Sequence, residues 1–224
     1  MTEFTVTVEK LTDNSLLRMA NSFTTHKESK MSLAAAYRHG HSPIRTQLFW
    51  VELRNIPLFV ASQLVRSHVG VQFFQLSKRP DRGGADFREM CEEIATNAGT
   101  IFKNEGYSFE EEYQHRTSTA HTIRLLPEQF DRYAPTDLAF IVNAEALMSM
   151  SHKRMCRKAS DETRKVFLAI REKIGECDPD LQCHLVPTCI FRNGICPEPN
   201  SCLYYASEPG RSQLLFYQKL MKIK

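Results

Sequence analysis

Ile56-Pro-Leu-Phe-Val-Ala-Ser-Gln-Leu-Val-Arg-Ser-His68, continued by Val69-Gly-Val-Gln-Phe-Phe-Gln-Leu-Ser77-Lys-Arg79, is the stretch on which the fold turns. Pro57 is placed to open a helix, since proline is tolerated at a first helical position. Leu58, Phe59, Val60, Leu64 and Val65 make that helix largely buried. Gly70 breaks it, residues 71–76 read as a strand, and residues 80–84 (Pro-Asp-Arg-Gly-Gly) read as a turn. Upstream, residues 47–53 read as a strand, residues 32–38 as a helix stopped at Gly40, and residues 4–8 as an alternating opening strand. Downstream, residues 87–103 have helical periodicity, and residues 139–150 are apolar nearly all round, the pattern of a buried helix. Ser160, Asp161 and Glu162 start another helix that runs to about Ile174, and residues 212–222 close the chain as an amphipathic helix. The expected class is α+β: a central β-sheet packed with helices over residues 1–176. A Cys-rich irregular C-terminal segment with its closing helix then spans 177–224.

Composition sets the outer bounds. The chain has 224 residues, 42% hydrophobic and 25% charged, ordinary values for one globular domain or one domain with an appendage. No apolar run is long enough to span a membrane. The N-terminus (Met-Thr-Glu-Phe-Thr-Val) is unlike a targeting peptide, so a cytoplasmic protein is expected. A net charge of +3 does not argue for nucleic-acid binding. The local clusters say more. Arg66, His68, Lys78, Arg79 and Arg82 form one, and Lys153, Arg154, Arg157 and Lys158 another. Both point to anionic ligands such as phosphates, with plain solvated faces as the alternative.

Read as one helix, residues 139–154 bring Asn143 and Arg154 to the same side. Eleven steps of about 100° return to within about 20° of one face, roughly 16 Å along the axis. That separation suits a long ligand touched at two points. An Asn bonded in the core and an Arg snorkelling at the helix end is the plainer alternative. Gln63 and Arg66, three apart, are delivered with His68 into the Gly70 loop. A guanidinium offers a planar fork to a phosphate or a pyrimidine carbonyl, and the Ser77 hydroxyl can add a phosphate contact. No Gly-rich phosphate loop, zinc-protease motif or Ser-His-Asp order is present. The chemistry therefore has to come from a bound cofactor or a site shared among subunits.

Tyr37-Arg-His-Gly-His-Ser-Pro-Ile44, a strand, then the Pro57–Arg79 stretch resemble the flavin-dependent thymidylate synthases. That family carries His-x-(x)-Ser/Thr-Pro, a strand, and Pro-x-x-Val-x-x-Gln leading into Arg-His-Arg-x-x-Ser-x-Asn-Glu-x-Ser-x-Arg. Asn143-Ala-Glu-Ala-Leu-Met-Ser149-Met-Ser-His-Lys-Arg154 also aligns without gaps to the family's Asn-x-Arg-x-x-x-Asn-x-x-x-x-Arg, continued by Ala159 and Glu162. A divergent, phage-encoded branch with a cysteine-rich end is similar too; for such a protein the compartment would be the host cytoplasm. The resemblance implies FAD contacts at His41, Arg66, His68, Asn143 and Ser149. It implies contacts to a pyrimidine deoxynucleotide monophosphate at Gln63, Gln75, Ser77, Arg79 and Arg154, with Arg154 the catalytic residue that grips the ring. It further implies methylenetetrahydrofolate and NADPH as cosubstrates and a homotetramer whose sites draw on several subunits.

The chain departs from the pattern at the base pocket. Ser67 and His68 replace the second and third residues of Arg-His-Arg, and Phe74-Gln75 replaces Asn-Glu, removing an acid. Arg45 stands where the family is usually acidic, and Ser149 where it has Asn. A further substrate arginine has no clear counterpart; Arg82, Arg124 and Arg132 are the candidates. These changes make a flavin-dependent dUMP or dCMP hydroxymethylase the first alternative to a thymidylate synthase. The second alternative is a non-catalytic metal- or nucleic-acid-binding module. His184, Cys189, Cys196 and Cys202 supply N and S ligands enough for a structural zinc, although no tight Cys-x-x-Cys is present; plain reduced thiols are the alternative. Cys156 reads as a packed thiol.

Overall fold

The computed structural model describes residues 3–76, 132 and 134–222. The chain divides into two compact units, one of Met1–Ile56, Val60–Gln75 and Thr136–Lys224, the other of Pro57–Phe59 and Leu76–Pro135. The first holds the sheet. Strands β1 (Thr5–Lys10), β2 (Leu48–Pro57), β3 (Val71–Gln75) and β4 (Pro135–Asn143) stand in the order β1-β2-β4-β3. β1 runs antiparallel to β2 with Val6 opposite Leu53, and β3 antiparallel to β4 with Phe73 opposite Phe140. Phe49, Val51 and Leu53 alternate into the core from β2, as do Leu138, Phe140 and Val142 from β4. Burying such side chains stabilises by about 1.5–3 kcal/mol each.

Helices cover the sheet and one another: α1 (Asn14–Thr25), α2 (Leu33–His39), α3 (Leu58–Leu64), α4 (Ala144–Arg154), α5 (Asp161–Cys177), α6 (Pro179–His184), α7 (Thr188–Phe191) and α8 (Glu208–Met221). α5 packs along β1 and against α6, burying Val166, Phe167, Ile170 and Ile174 on one stripe. The expected caps are present. Ser32 and Ser160 cap α2 and α5, and Gly40 ends α2 at φ 62°, its N–H bonded to Ala36 and Tyr37. Among the described residues no helix is long and apolar enough to cross a membrane.

The structure differs from the sequence reading in four places. Pro57, expected to open a helix, ends β2, and α3 starts at Leu58. Residues 139–150 are not one helix: a strand ends at Asn143, and α4 begins at the next residue. Thr136, Leu138, Phe140 and Val142 are buried with period two, but Ala139 and Ile141 between them are apolar as well, which hides the alternation. The segment after 177 is more regular than expected, holding α6, α7 and a 3-10 turn, Tyr204–Ala206. It also has its own small core of Val186, Cys189, Ile190 and Tyr217. Helix α1 was not legible, since only Leu17 on it is buried. The expected turn at 80–84 and helix at 87–103 lie outside the described residues.

His184 belongs to the core. It is buried between the rings of Tyr37 and Tyr217, with centroids at 6.2 and 6.1 Å, and its Nδ1 has no partner among the described residues. Burial, and then the charge of Arg38, push its pKa down to about 4. An unfolded histidine protonates near 6.5, so the fold binds fewer protons than the unfolded chain below that pH. Stability is therefore complete above about pH 6.5 and falls as pH drops toward 4, by up to about 3 kcal/mol from this residue. Urea midpoints measured from pH 7 to pH 4.5 should show the loss, and His184→Phe should flatten it.

Candidate active site

Three chain segments meet at the C-terminal end of α4. Arg154, the last residue of that helix, donates from its guanidinium to the main-chain carbonyl of Gln63 in α3. The Gln63 side-chain oxygen accepts from the Thr163 hydroxyl at 3.0 Å. Thr163 is fully buried in the first turn of α5, where the Ser160 cap holds both its N–H and its hydroxyl. This chain of bonds fixes Gln63 and Arg154 relative to each other before any ligand arrives. The Nε of Arg154 is buried and has no partner among the described residues. Burial, and then Arg66, hold its pKa below the usual guanidinium range. A half-buried guanidinium that lines a cavity is placed to donate to a carbonyl or an anion.

A cavity of about 430 Å³ opens here, lined by Gln63, Arg66 and Arg154. Lys153, Arg157 and Lys158 also line it, against a single acid, Glu198. Such a balance favours an anionic ligand. Pro187, Cys189, Cys196, Cys202, Tyr204 and Tyr205 complete the lining. Arg157 lies over the Tyr204 ring at 4.8 Å.

The remaining expected residues fall elsewhere. Asn143 precedes α4 rather than lying within it, and it does not line the cavity with Arg154. It is the N-cap, accepting from Ala146 N–H at 2.9 Å while its own N–H donates to Gly70 at 3.0 Å. Gly70 sits at φ 74°, and a Cβ there would come within 2.5 Å of the Asn143 amide. Asn143 thereby braces the loop that carries Arg66 and His68. His68 is exposed, its Nδ1 3.2 Å from the Arg66 carbonyl oxygen. His41 precedes the 3-10 turn Ser42–Thr46 and stacks on His39 at 5.5 Å. Arg45 in that turn is paired with Glu145 of α4 at 2.5 Å. Ser149, one turn beyond Glu145 on the same face, is exposed. Gln75 is exposed at the end of β3, and the Phe74 ring meets that of Trp50 at a tilt, 5.7 Å between centroids. Ser77, Arg79, Arg82 and Arg124 lie outside the described residues; Arg132 is placed in the second unit, over the Phe59 ring at 4.7 Å.

The metal reading needs correction. His184 does not line the cavity; its place beside Cys189, Cys196 and Cys202 is taken by Cys156. Among the described residues no group of three or more His, Cys, Asp or Glu side chains is arranged to hold a metal ion. Cys156 is half-buried on the cavity wall.

The sequence pattern of the family described as thymidylate synthase complementing protein matches residues 6–180. The chain belongs to that family. These are the flavin-dependent thymidylate synthases, methyltransferases by class, and the chain is an enzyme of that kind. A similar solved structure is thymidylate synthase X from Helicobacter pylori, determined with FAD and dUMP. It is 15% identical, with a TM-score of 0.51 over 81% of this chain and 99% of that one. At that identity the likeness is one of fold. No curated protein matches the chain. Two features of this chain escaped the motifs. One is the Thr163 brace under Gln63, signalled only by the Ser160 cap. The other is the part of the cavity lining after residue 187, which lies beyond the matched span. The family pattern has Arg at the third position of the Asn143 motif and an acid near position 45. Here Glu145 and Arg45 exchange those charges and pair.

Proposed function

We propose that this enzyme transfers a one-carbon unit from methylenetetrahydrofolate to C5 of dUMP, giving dTMP. The observation that carries the reading is the convergence of Gln63, Arg66 and Arg154 on one cationic cavity, in a chain of this family. A cavity rich in guanidinium and ammonium groups fits a nucleotide monophosphate and the pyrophosphate of FAD. His41, Arg66, His68, Asn143 and Ser149 would hold the flavin. Gln63, Gln75, Ser77, Arg79 and Arg154 would hold the nucleotide, with Ser77 and Arg79 on its phosphate. Bound FAD supplies hydride chemistry, with NADPH as the reductant. Arg154 orients the pyrimidine and stabilises charge that develops on its carbonyl, using donors already fixed in a partly dry site. Gln63, tied to Thr163, keeps that arginine from swinging away. His41 and Ser149 stand on α4 and its neighbouring turn rather than in the cavity, which supports a shared, homotetrameric site. The compartment that fits this metabolism is the cytoplasm, or the host's for a phage-encoded enzyme.

The test is direct. The purified chain should take up FAD with a flavin absorbance spectrum and convert dUMP to a product with the mass of dTMP. Phe74 and Gln75, neutral where the family pattern has Asn-Glu, favour a second reading in which water captures the carbon on dUMP or dCMP. A hydroxymethyl product in the same mass spectrum would select it. A colourless protein that refuses FAD but binds DNA in a salt-dependent way would instead favour the non-catalytic alternative.

A further inference from the structure

Five cations line the cavity, Arg66, Lys153, Arg154, Arg157 and Lys158, against the one carboxylate of Glu198. Among the described residues none of the five makes an ion pair, and Glu198 makes none either. Like charges gathered without counter-charges repel one another. Arg66 already acts on Arg154 in this way, adding to burial in holding its pKa down. An anion bound among them relieves that repulsion. The ligand contacts proposed above leave part of this charge unused. The nucleotide phosphate falls to Ser77 and Arg79, and the flavin residues His41 and Ser149 do not line the cavity. Lys153, Arg157 and Lys158 belong to neither set.

The turn between α4 and α5 holds these side chains on a fixed course. Met155 is buried and its N–H donates to the Ser151 carbonyl at 3.0 Å. The Ala159 N–H donates to the Cys156 carbonyl at 2.9 Å, and the Ser160 cap follows at once. Arg157 lies over the Tyr204 ring, whose hydroxyl donates to Gln213 of α8 at 3.0 Å. All three cations are nonetheless exposed, so an anion can reach them from solvent.

The main chain indicates which kind of anion. A compact phosphate is commonly held by N–H groups of a turn or helix start. Here the Lys158 N–H goes to the Cys156 sulfur at 3.5 Å, and the Thr163 and Arg164 N–H groups go to Ser160. Asp161 and Glu162 add negative charge to the first turn of α5. The attraction therefore comes from side-chain charges at three positions, two of them ammonium groups on flexible stems. Such an arrangement suits several carboxylates spaced along a chain. Among the ligands proposed above, the folate ends in this way. Its glutamate carries carboxylates, and each further γ-linked glutamate adds one more.

We propose that Lys153, Arg157 and Lys158 form a subsite for the carboxylates of a γ-linked glutamate tail on the folate cosubstrate. Such a subsite rests on the one-carbon donor proposed above and adds what holds its far end. Exposed ion pairs are weak one at a time, so selection comes from several carboxylates held together.

The probe is 5-formyltetrahydrofolate with one glutamate or with five, followed by equilibrium dialysis on the full-length enzyme with FAD and dUMP present, so that no turnover is needed. The five-glutamate form should bind about tenfold tighter at low salt, and its advantage should shrink as salt is raised. Lys153→Gln, Arg157→Gln and Lys158→Gln combined should bring the two forms to equal affinity. Lys165→Gln and Lys219→Gln, at cations outside the cavity, should keep the difference. If the triple variant fails to fold, Lys158→Gln alone should reduce the advantage, and the salt series on the unaltered enzyme decides. Equal binding of the two forms by the unaltered enzyme overturns the subsite, as does a preference that survives the triple substitution. Loss of FAD, or a raised KM for dUMP or NADPH with the tail preference kept, assigns the three cations to a phosphate instead. Failure to bind either form removes the folate donor itself, and the subsite with it.

Discussion

Arg154→Lys is expected to lower kcat/KM for dUMP by about two to three orders of magnitude while FAD uptake is retained. Lysine keeps the charge and one donor for the Gln63 carbonyl, so the junction of α3 and α4 survives. What it loses is the planar fork and the second, buried nitrogen that has no partner among the described residues. A contact made more strongly in the transition state should appear mainly in kcat, whereas a mere grip on the nucleotide should appear in KM. Steady-state kinetics with flavin content measured on the same sample separates the two. Unchanged turnover would remove Arg154 from the chemistry altogether. Thr163→Val supplies a milder companion: it frees Gln63 and should raise KM several-fold without changing FAD content.

The second large effect lies far from the cavity. Asp178→Ala should destabilise the fold by about 3–5 kcal/mol, a large share of a total of about 5–15. The Asp178 carboxylate is buried, accepts from Lys10 at 2.7 Å and from the Tyr37 hydroxyl at 2.8 Å, and caps α6 through the Leu181 N–H at 3.0 Å. One side chain thus joins β1, α2 and the start of α6. Removing it strands a half-buried ammonium and a buried phenol. The phenol already sits well above its usual titration range, first through burial and then through the Asp178 charge, and cannot ionise to relieve the loss. Urea unfolding followed by circular dichroism measures the change. Tyr37→Phe, which deletes only the hydroxyl, should cost about 1 kcal/mol.

Much of the architecture could be read in advance where local signals were unmixed. Ser32, Gly40 and Ser160 mark helix ends by chemistry that needs no tertiary help, and the helices begin or stop there. Residues 135–154 could not be divided correctly, because β4 is apolar on both faces and flows into an apolar helix. Only Asn143 marks the joint, and an Asn inside an apolar run reads equally well as a buried ligand contact. The candidate site was legible as a set of types rather than as a place. Gln63, Arg66 and Arg154 were named together by their motifs and do meet. His184 was grouped with the late cysteines because it is close in sequence, whereas Cys156, 33 positions before Cys189, reaches them only through the packing of α7 on α4. Spacing along the chain cannot report that kind of adjacency.

The small core of Val186, Cys189, Ile190 and Tyr217 has a consequence for how such an enzyme can diverge. It gives the segment after residue 185 apolar packing of its own next to the cavity, besides the hydrogen bonds that tie it to α4 and α2. Substitutions that reshape this part of the cavity lining thereby fall on residues other than those that build the sheet. A lineage could exchange this segment for another and inherit the sheet unchanged. Grafting residues 186–222 as a block onto a relative's scaffold is the engineering equivalent, with nucleotide preference as the trait expected to travel.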